Sequence, residues 1–66
     1  MNLEQSINRF VVMCVEQYAS FKNWSGKDTY QKLLSKGIIN ELEQDYDDLH
    51  GMSAIYLNDF IDKMIQ

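Results

Sequence analysis

The first third of the chain carries apolar residues at spacings of three and four. They are Leu3, Ile7, Phe10, Val11, Cys14, Tyr18 and Phe21. This spacing matches the 3.6-residue period of an α-helix and differs from the two-residue period of a β-strand. The pattern therefore predicts a long first helix over residues 3–21.

A second, shorter helix is predicted between a capping serine and a glycine. Ser25 fits the N-cap position, and Asp28 three residues later places a negative charge where the helix dipole favours one. Trp24, directly before the cap, fits the position of a hydrophobic staple residue. The helix is expected to run to Lys36, because Gly37 readily adopts the left-handed conformation that ends helices.

Two further apolar stripes complete the pattern. The third helix carries Ile38, Ile39, Leu42, Tyr46 and Leu49, and the last carries Ile55, Leu57, Phe60, Ile61 and Met64. The third is expected to end near His50 and Gly51, and Ser53 is expected to cap the last one. The fold class predicted is all-α: a compact bundle of about four short helices, in which helix 1 is the longest and central.

Composition indicates one folded domain. The 66 residues are 45% hydrophobic and 24% charged, as in ordinary globular proteins, and a chain of this length has room for a single core. We therefore expect one helical domain over residues 1–66. No apolar run reaches the roughly 18 residues of a membrane span, and Glu4 stands where a signal peptide would be basic. A cytoplasmic location is expected.

Residues 10–15 form a run of six consecutive apolar residues in the middle of helix 1. A helix with this sequence is hydrophobic all round and must be covered on several sides. In one interpretation the other helices wrap helix 1 as the centre of the bundle. In the other, Val12 or Met13 faces a partner, so these two residues form a candidate interface. Self-association of the chain as a homodimer is a separate possibility.

The charged residues are sorted by sign. Lysines lie around helix 2, at Lys22, Lys27, Lys32 and Lys36, whereas helix 3 carries Glu41, Glu43, Asp45, Asp47 and Asp48. Helices 2 and 3 have the length of a helix-turn-helix. However, the helix that would enter the major groove is acidic and the net charge is −4, which disfavours phosphate contacts. Nucleic acid is not an expected partner, and a DNA-binding or regulatory role through the helix 2 lysines is the alternative function.

Motifs for catalysis, cofactors and metals are incomplete in this sequence. Residues 25–29 resemble the end of a phosphate-binding loop but lack the upstream glycine and strand. A calcium loop that began at Asp45 would need a glutamate where Tyr56 stands. Cys14 lies in an apolar run, where a thiol is inert, and His50 is the only histidine. We therefore expect no catalytic residue, no cofactor, no metal site and no enzyme activity.

Several short motifs occur together in a fixed order. They are Trp24-Ser25-Gly26-Lys27, Gly37-Ile38-Ile39, Tyr46 with Leu49-His50, and Tyr56 with Asp59-Phe60-Ile61. Over residues 16–65 the chain resembles a family of short, functionally uncharacterised bacterial proteins with the pattern SGK, a hydrophobic stretch, Y-x-x-LH and D-I. It departs from that pattern at Phe60, where the family tends to have isoleucine, and at Gly51, where a threonine is expected. The resemblance implies a compact helical fold without a known activity. The family's frequent location beside genes for a predicted ADP-ribosyltransferase-like protein implies a partner or antitoxin role.

The motif residues define a candidate interaction or structural site. They are Trp24, Ser25, Gly26, Lys27, Tyr46, His50 and Asp59. His50 is expected to hydrogen-bond with Asp59 and so to join the end of helix 3 to the last helix. Together with the candidate interface at Val12 and Met13, this site predicts a small adaptor or antitoxin-like module that acts by binding a partner protein.

Overall fold

Capping side chains and left-handed residues set the ends of the helices. The computed structural model describes residues 2–66, and within them it contains helices and no strand. The helices are α1 Leu3–Lys22, α2 Gly26–Ser35, α3 Ile38–Gln44, α4 Tyr46–Leu49 and α5 Ala54–Ile65. The predicted all-α fold is confirmed, and α1, with 20 residues, is the longest helix as expected.

An asparagine flanks α1 at each end. Asn2 Oδ1 accepts a hydrogen bond from the backbone N–H of Gln5 at 2.8 Å. Asn23 has a φ of 60° and directs its own N–H to the carbonyl oxygens of Ala19 and Ser20. Asparagine enters the left-handed region more readily than most residues that have a Cβ. The helix therefore ends one residue beyond its predicted end.

The predicted caps and the glycine stop are confirmed. Ser25 Oγ accepts from the N–H of Asp28 at 3.1 Å, and Ser53 Oγ accepts from the N–H of Tyr56 at the same distance. Each serine satisfies a donor that a helix start leaves free. Gly37, with a φ of 76°, lies in the left-handed region between α2 and α3.

The predicted third helix is interrupted at Asp45. This residue has φ −95° and ψ 16°. Its N–H donates to the carbonyl of Glu41 at 2.9 Å, and its own carbonyl accepts from both Asp48 and Leu49 at 3.0 Å. Aspartate is a poor residue for a helix interior, and the turn here lets the following segment bury Leu49 and half-bury Tyr46. One predicted helix thus becomes α3 and α4, which are separated by a turn at Asp45.

The core consists of one side of α1 and the apolar faces of the other helices. Its buried members are Phe10, Val11, Cys14, Val15, Tyr18, Leu33, Ile38, Ile39, Leu42, Leu49, Leu57 and Ile61. α1 packs against α2, α3 and α5, and α3 packs against all four other helices. Within residues 2–66, no helix combines the length and the apolarity that crossing a membrane requires.

The other helices cover only one side of α1. Val12 is 54% exposed and Met13 is 37% exposed, although both belong to the run of six apolar residues. The interpretation in which the bundle wraps α1 on all sides is therefore wrong. The reason is geometric: α2, α3 and α5 all pack on the face that contains Phe10, Cys14 and Tyr18.

Candidate functional site

The first part of the predicted motif lies at the α1–α2 junction and builds the start of α2. Trp24 is half-buried, and its ring meets the edge of Tyr18 with centroids 5.8 Å apart. Lys32 Nζ lies 5.3 Å from the centroid of the same indole. Ser25 is the N-cap, and Gly26 and Lys27 lie exposed in the first turn of α2. These residues have a structural part in starting the helix.

The second part of the motif lies on α4 and α5, and it does not form the predicted pair. His50 stacks on Tyr46 with ring centroids 4.5 Å apart, and His50 Nδ1 lies 2.9 Å from the carbonyl oxygen of Tyr46. Asp59 Oδ2 is 3.0 Å from Lys63 Nζ. The predicted hydrogen bond between His50 and Asp59 is wrong, because each side chain pairs with a residue four positions away in its own segment.

A shallow depression lies between the end of α1 and the start of α5. It has a volume of about 260 Å³ and is lined by Phe21, Ile55, Asn58, Asp59 and Asp62; we call it the Phe21–Ile55 depression. Phe21 is 56% exposed and Ile55 is 84% exposed. Two large apolar side chains are therefore exposed in the same depression. Asp59, a residue of the predicted motif, also lines it.

The polar side chains of the depression are two carboxylates and one amide. Asn58 Oδ1 is buried and has no donor within the described residues. Asp62 Oδ1 accepts from the hydroxyl of Tyr18 at 2.5 Å and lies 3.6 Å from Lys22 Nζ. The Tyr18 contact anchors the carboxylate of Asp62 at the wall of the depression. The site thus presents carboxylates beside apolar surface, and the amide oxygen without a donor is buried beneath that surface.

Two titratable groups in the core stay protonated at neutral pH. Burial, followed by the hydrogen bond and the negative charge of Asp62, raises the pKa of Tyr18 above its ordinary value. Burial raises the pKa of Cys14 to about 11. A neutral thiol is neither a good nucleophile nor a metal ligand. Tyr18 therefore acts as a hydrogen-bond donor that positions Asp62.

Metal-binding side chains do not converge in the part of the chain that the structure describes. Over residues 2–66, no group of three or more histidine, cysteine, aspartate or glutamate residues could hold a metal ion. Cys14 is buried in the core, whereas His50 is exposed at the end of α4.

Sequence reasoning missed most residues of the depression. The sequence places Phe21 and Ile55 in apolar stripes, and in the structure they continue those stripes. Phe21 lies near the end of α1 and Ile55 near the start of α5, and no other helix covers either side chain. No sequence signal points to Asn58, and the contact between Tyr18 and Asp62 joins residues 44 positions apart.

Comparison with known proteins gives a family for this chain. The family described as "Protein of unknown function (DUF3791)" matches residues 9–66. The chain belongs to that family. The resemblance to a functionally uncharacterised family is thereby confirmed, and the DUF3791 match contains every residue of the Phe21–Ile55 depression. Neither the curated proteins nor the solved structures contain a match.

Proposed function

We propose that this DUF3791 protein is a small protein-binding module, an adaptor or antitoxin-like subunit, that acts through a partner protein bound at the Phe21–Ile55 depression. The observation that carries the proposal is the exposure of two large apolar side chains, Phe21 and Ile55, in one depression beside carboxylates. Its wall also holds the buried oxygen of Asn58, which has no donor within residues 2–66. Buried polar atoms in folded proteins are nearly always paired. Exposed apolar patches often mark interaction sites.

The chemistry of the depression favours an arginine-bearing segment of the partner. The aliphatic stem of arginine can pack on Phe21 and Ile55 while its guanidinium group reaches the carboxylate of Asp59 or Asp62, which also line the depression. Arginine presents five donors in a planar fork, which suits several acceptors better than the single ammonium group of lysine. The net charge of −4 also favours the approach of a basic segment.

This function requires no catalysis by the chain itself, and we place it in the cytoplasm, where a single cysteine needs no disulfide partner. DNA binding through Lys22, Lys27, Lys32 and Lys36 is the alternative proposal. The geometry supports it less well, because α3 has only seven residues and carries Glu41 in its first turn. Lys22 is also close to Asp62, at 3.6 Å.

The first experiment is a gentle pull-down of the tagged protein from its native lysate, followed by mass spectrometry with stoichiometry. It is run in parallel with Ile55→Glu and with Leu34→Glu, a matched control at an apolar residue of α2 that is 53% exposed and outside the depression. We expect a near-equimolar partner that Ile55→Glu loses and Leu34→Glu keeps.

Two results would contradict the proposal. The first is a partner retained equally by both variants, since the depression would then not be the binding site. The second is recovery of the bait alone under conditions that preserve weak complexes. A salt-sensitive shift of random duplex DNA that disappears with Lys27→Glu would instead support the alternative.

A further inference from the structure

The side of α1 that faces away from the other helices is a second surface, separate from the Phe21–Ile55 depression. We call it the outer face of α1, and its exposed residues are Gln5, Arg9, Val12, Met13, Glu16 and Ser20. A shallow hollow of about 350 Å³ lies along it, between Val12, Met13, Arg9 and Glu16 and the neighbouring Asn8. The surface is apolar at its centre and polar at both ends.

Residues on the outer face form pairs that lie at equal distances on either side of one point, and the charged pair has opposite signs. The position midway between Val12 and Met13 is also midway between Arg9 and Glu16. A second copy laid antiparallel, with a two-fold axis through this point, therefore places Arg9 against Glu16 of the second copy. The same operation places Val12 against Met13 at the centre.

The two charges on this face have no ion-pair partner within residues 2–66. Neither Arg9 nor Glu16 forms an ion pair or a side-chain hydrogen bond with any other described residue. They lie seven residues apart, about 10 Å along the helix axis, whereas ion pairs within a helix form three or four residues apart. Their charges cancel, so the face is neutral although the whole chain carries −4.

We infer that the outer face of α1 binds a second copy of this chain, in an isologous pair of antiparallel α1 helices. Self-complementarity of this kind is what a two-fold interface requires. The pairing buries Val12 and Met13, the exposed members of the apolar run. None of the residues that line the Phe21–Ile55 depression belongs to the outer face, so the dimer leaves two depressions open. A contact along one helix is small, and the dimer therefore dissociates on dilution.

Charge-swap variants of the full chain test this inference by sedimentation equilibrium. The mass of the wild-type protein is expected to rise with concentration toward twice that of a single chain. Arg9→Glu and Glu16→Arg should each weaken dimerisation at least about tenfold, because each places like charges together twice. Asp47→Arg, an exposed charge reversal on α4 and outside the face, is the control and should leave the dimerisation constant unchanged.

Restoration distinguishes the antiparallel pair from a general charge effect. A mixture of the two single variants should form a one-to-one heterodimer, and the double variant should regain the homodimer. The inference is overturned if the wild-type protein stays monomeric at its highest soluble concentration, or if the double variant stays as weak as the single variants. Thermal melts monitored by circular dichroism check that each variant is folded, and the pull-down tests the proposed function separately.

Discussion

At the scale of single residues, the ionisation of Tyr18 and Cys14 is expected to lower the free energy of unfolding at alkaline pH. Both pKa values are raised in the folded chain, that of Cys14 from 9.0 to about 11 and that of Tyr18 above its ordinary 10.0. An acid whose pKa is raised by folding contributes stability below its unfolded pKa, and this contribution is lost as the pH rises toward the folded pKa.

We therefore predict that the free energy of unfolding is flat with respect to these two groups up to about pH 9 and then falls. The slope should reach about 1.4 kcal/mol per pH unit for each group that titrates. Urea unfolding across this pH range measures it. Cys14→Ala should remove the part of the slope that begins near pH 9.0, and an unchanged slope in that variant would contradict the assignment.

A substitution at Asn58 distinguishes a role of this residue in folding from a role in binding the partner. The side-chain oxygen of Asn58 is buried and has no donor among residues 2–66. Leucine has nearly the same shape as asparagine, so Asn58→Leu removes a desolvation penalty and no hydrogen bond of that oxygen. The free energy of unfolding should stay the same or rise by about 1 kcal/mol, while binding of the partner found in the pull-down should weaken. A loss of stability of similar size would show that Asn58 serves the fold.

At the scale of elements, Gly37 controls the turn between α2 and α3. Its φ of 76° is unfavourable for a residue with a Cβ, although nothing lies within 4 Å of the space that a Cβ would occupy. Gly37→Ala should therefore lower the free energy of unfolding by about 1–2 kcal/mol through backbone strain alone. Chemical denaturation measures this change.

Gly26 offers a matched control for that substitution. It opens α2 without a positive φ, and the space around it is equally empty. Gly26→Ala should raise stability by up to about 1 kcal/mol, because alanine restricts the unfolded chain. If both variants lost stability equally, the difference in φ would not be the cause.

The junction between α4 and α5 holds without a contact between His50 and Asp59. The His50 ring lies within hydrogen-bond distance of the Tyr46 carbonyl, and Asp59 forms an ion pair with Lys63. A double-mutant cycle between His50→Ala and Asp59→Ala should therefore be additive within about 0.5 kcal/mol. A coupling energy clearly above that value would mean that the two side chains interact in solution.

At the scale of the whole molecule, acidic residues outnumber basic ones, and we expect repulsion between two of them on α3 to lower the stability of the protein. A hydrogen bond and the negative charge of Asp45 raise the pKa of Glu41, so the pair repels when both carboxylates are ionised. Since the raised pKa means that stability is lost as the pH rises, Glu41→Gln should melt at a higher temperature than the wild-type protein at neutral pH. The two should converge below pH 4.5.

Glu43→Gln is the control for net charge, because it removes the same charge from α3. It should raise the melting temperature less than Glu41→Gln does. Equal increases in both variants would assign the effect to the overall charge of −4 and not to the contact with Asp45. Scanning calorimetry at two pH values measures all three proteins.

The sequence by itself determined most of the helices of this protein, all but the division of the third helix at Asp45, because the signals that begin and end a helix act over three or four residues. Ser25, Ser53 and Gly37 do what their types and positions predict. The period of the apolar residues likewise identified α1 and most of the core. These interactions are local, so they can be read without knowing how the helices cross.

Only the tertiary structure decided which apolar residues are covered and which polar groups meet. Val12 and Met13 belong to the same apolar run as their buried neighbours, and Phe21 belongs to the same stripe as Tyr18. Their exposure follows from where α2, α3 and α5 pack on α1. The turn at Asp45 and the Tyr18–Asp62 contact likewise depend on packing between distant segments. Periodicity reports the face on which a residue lies, whereas helix length and crossing angle determine what, if anything, covers that face.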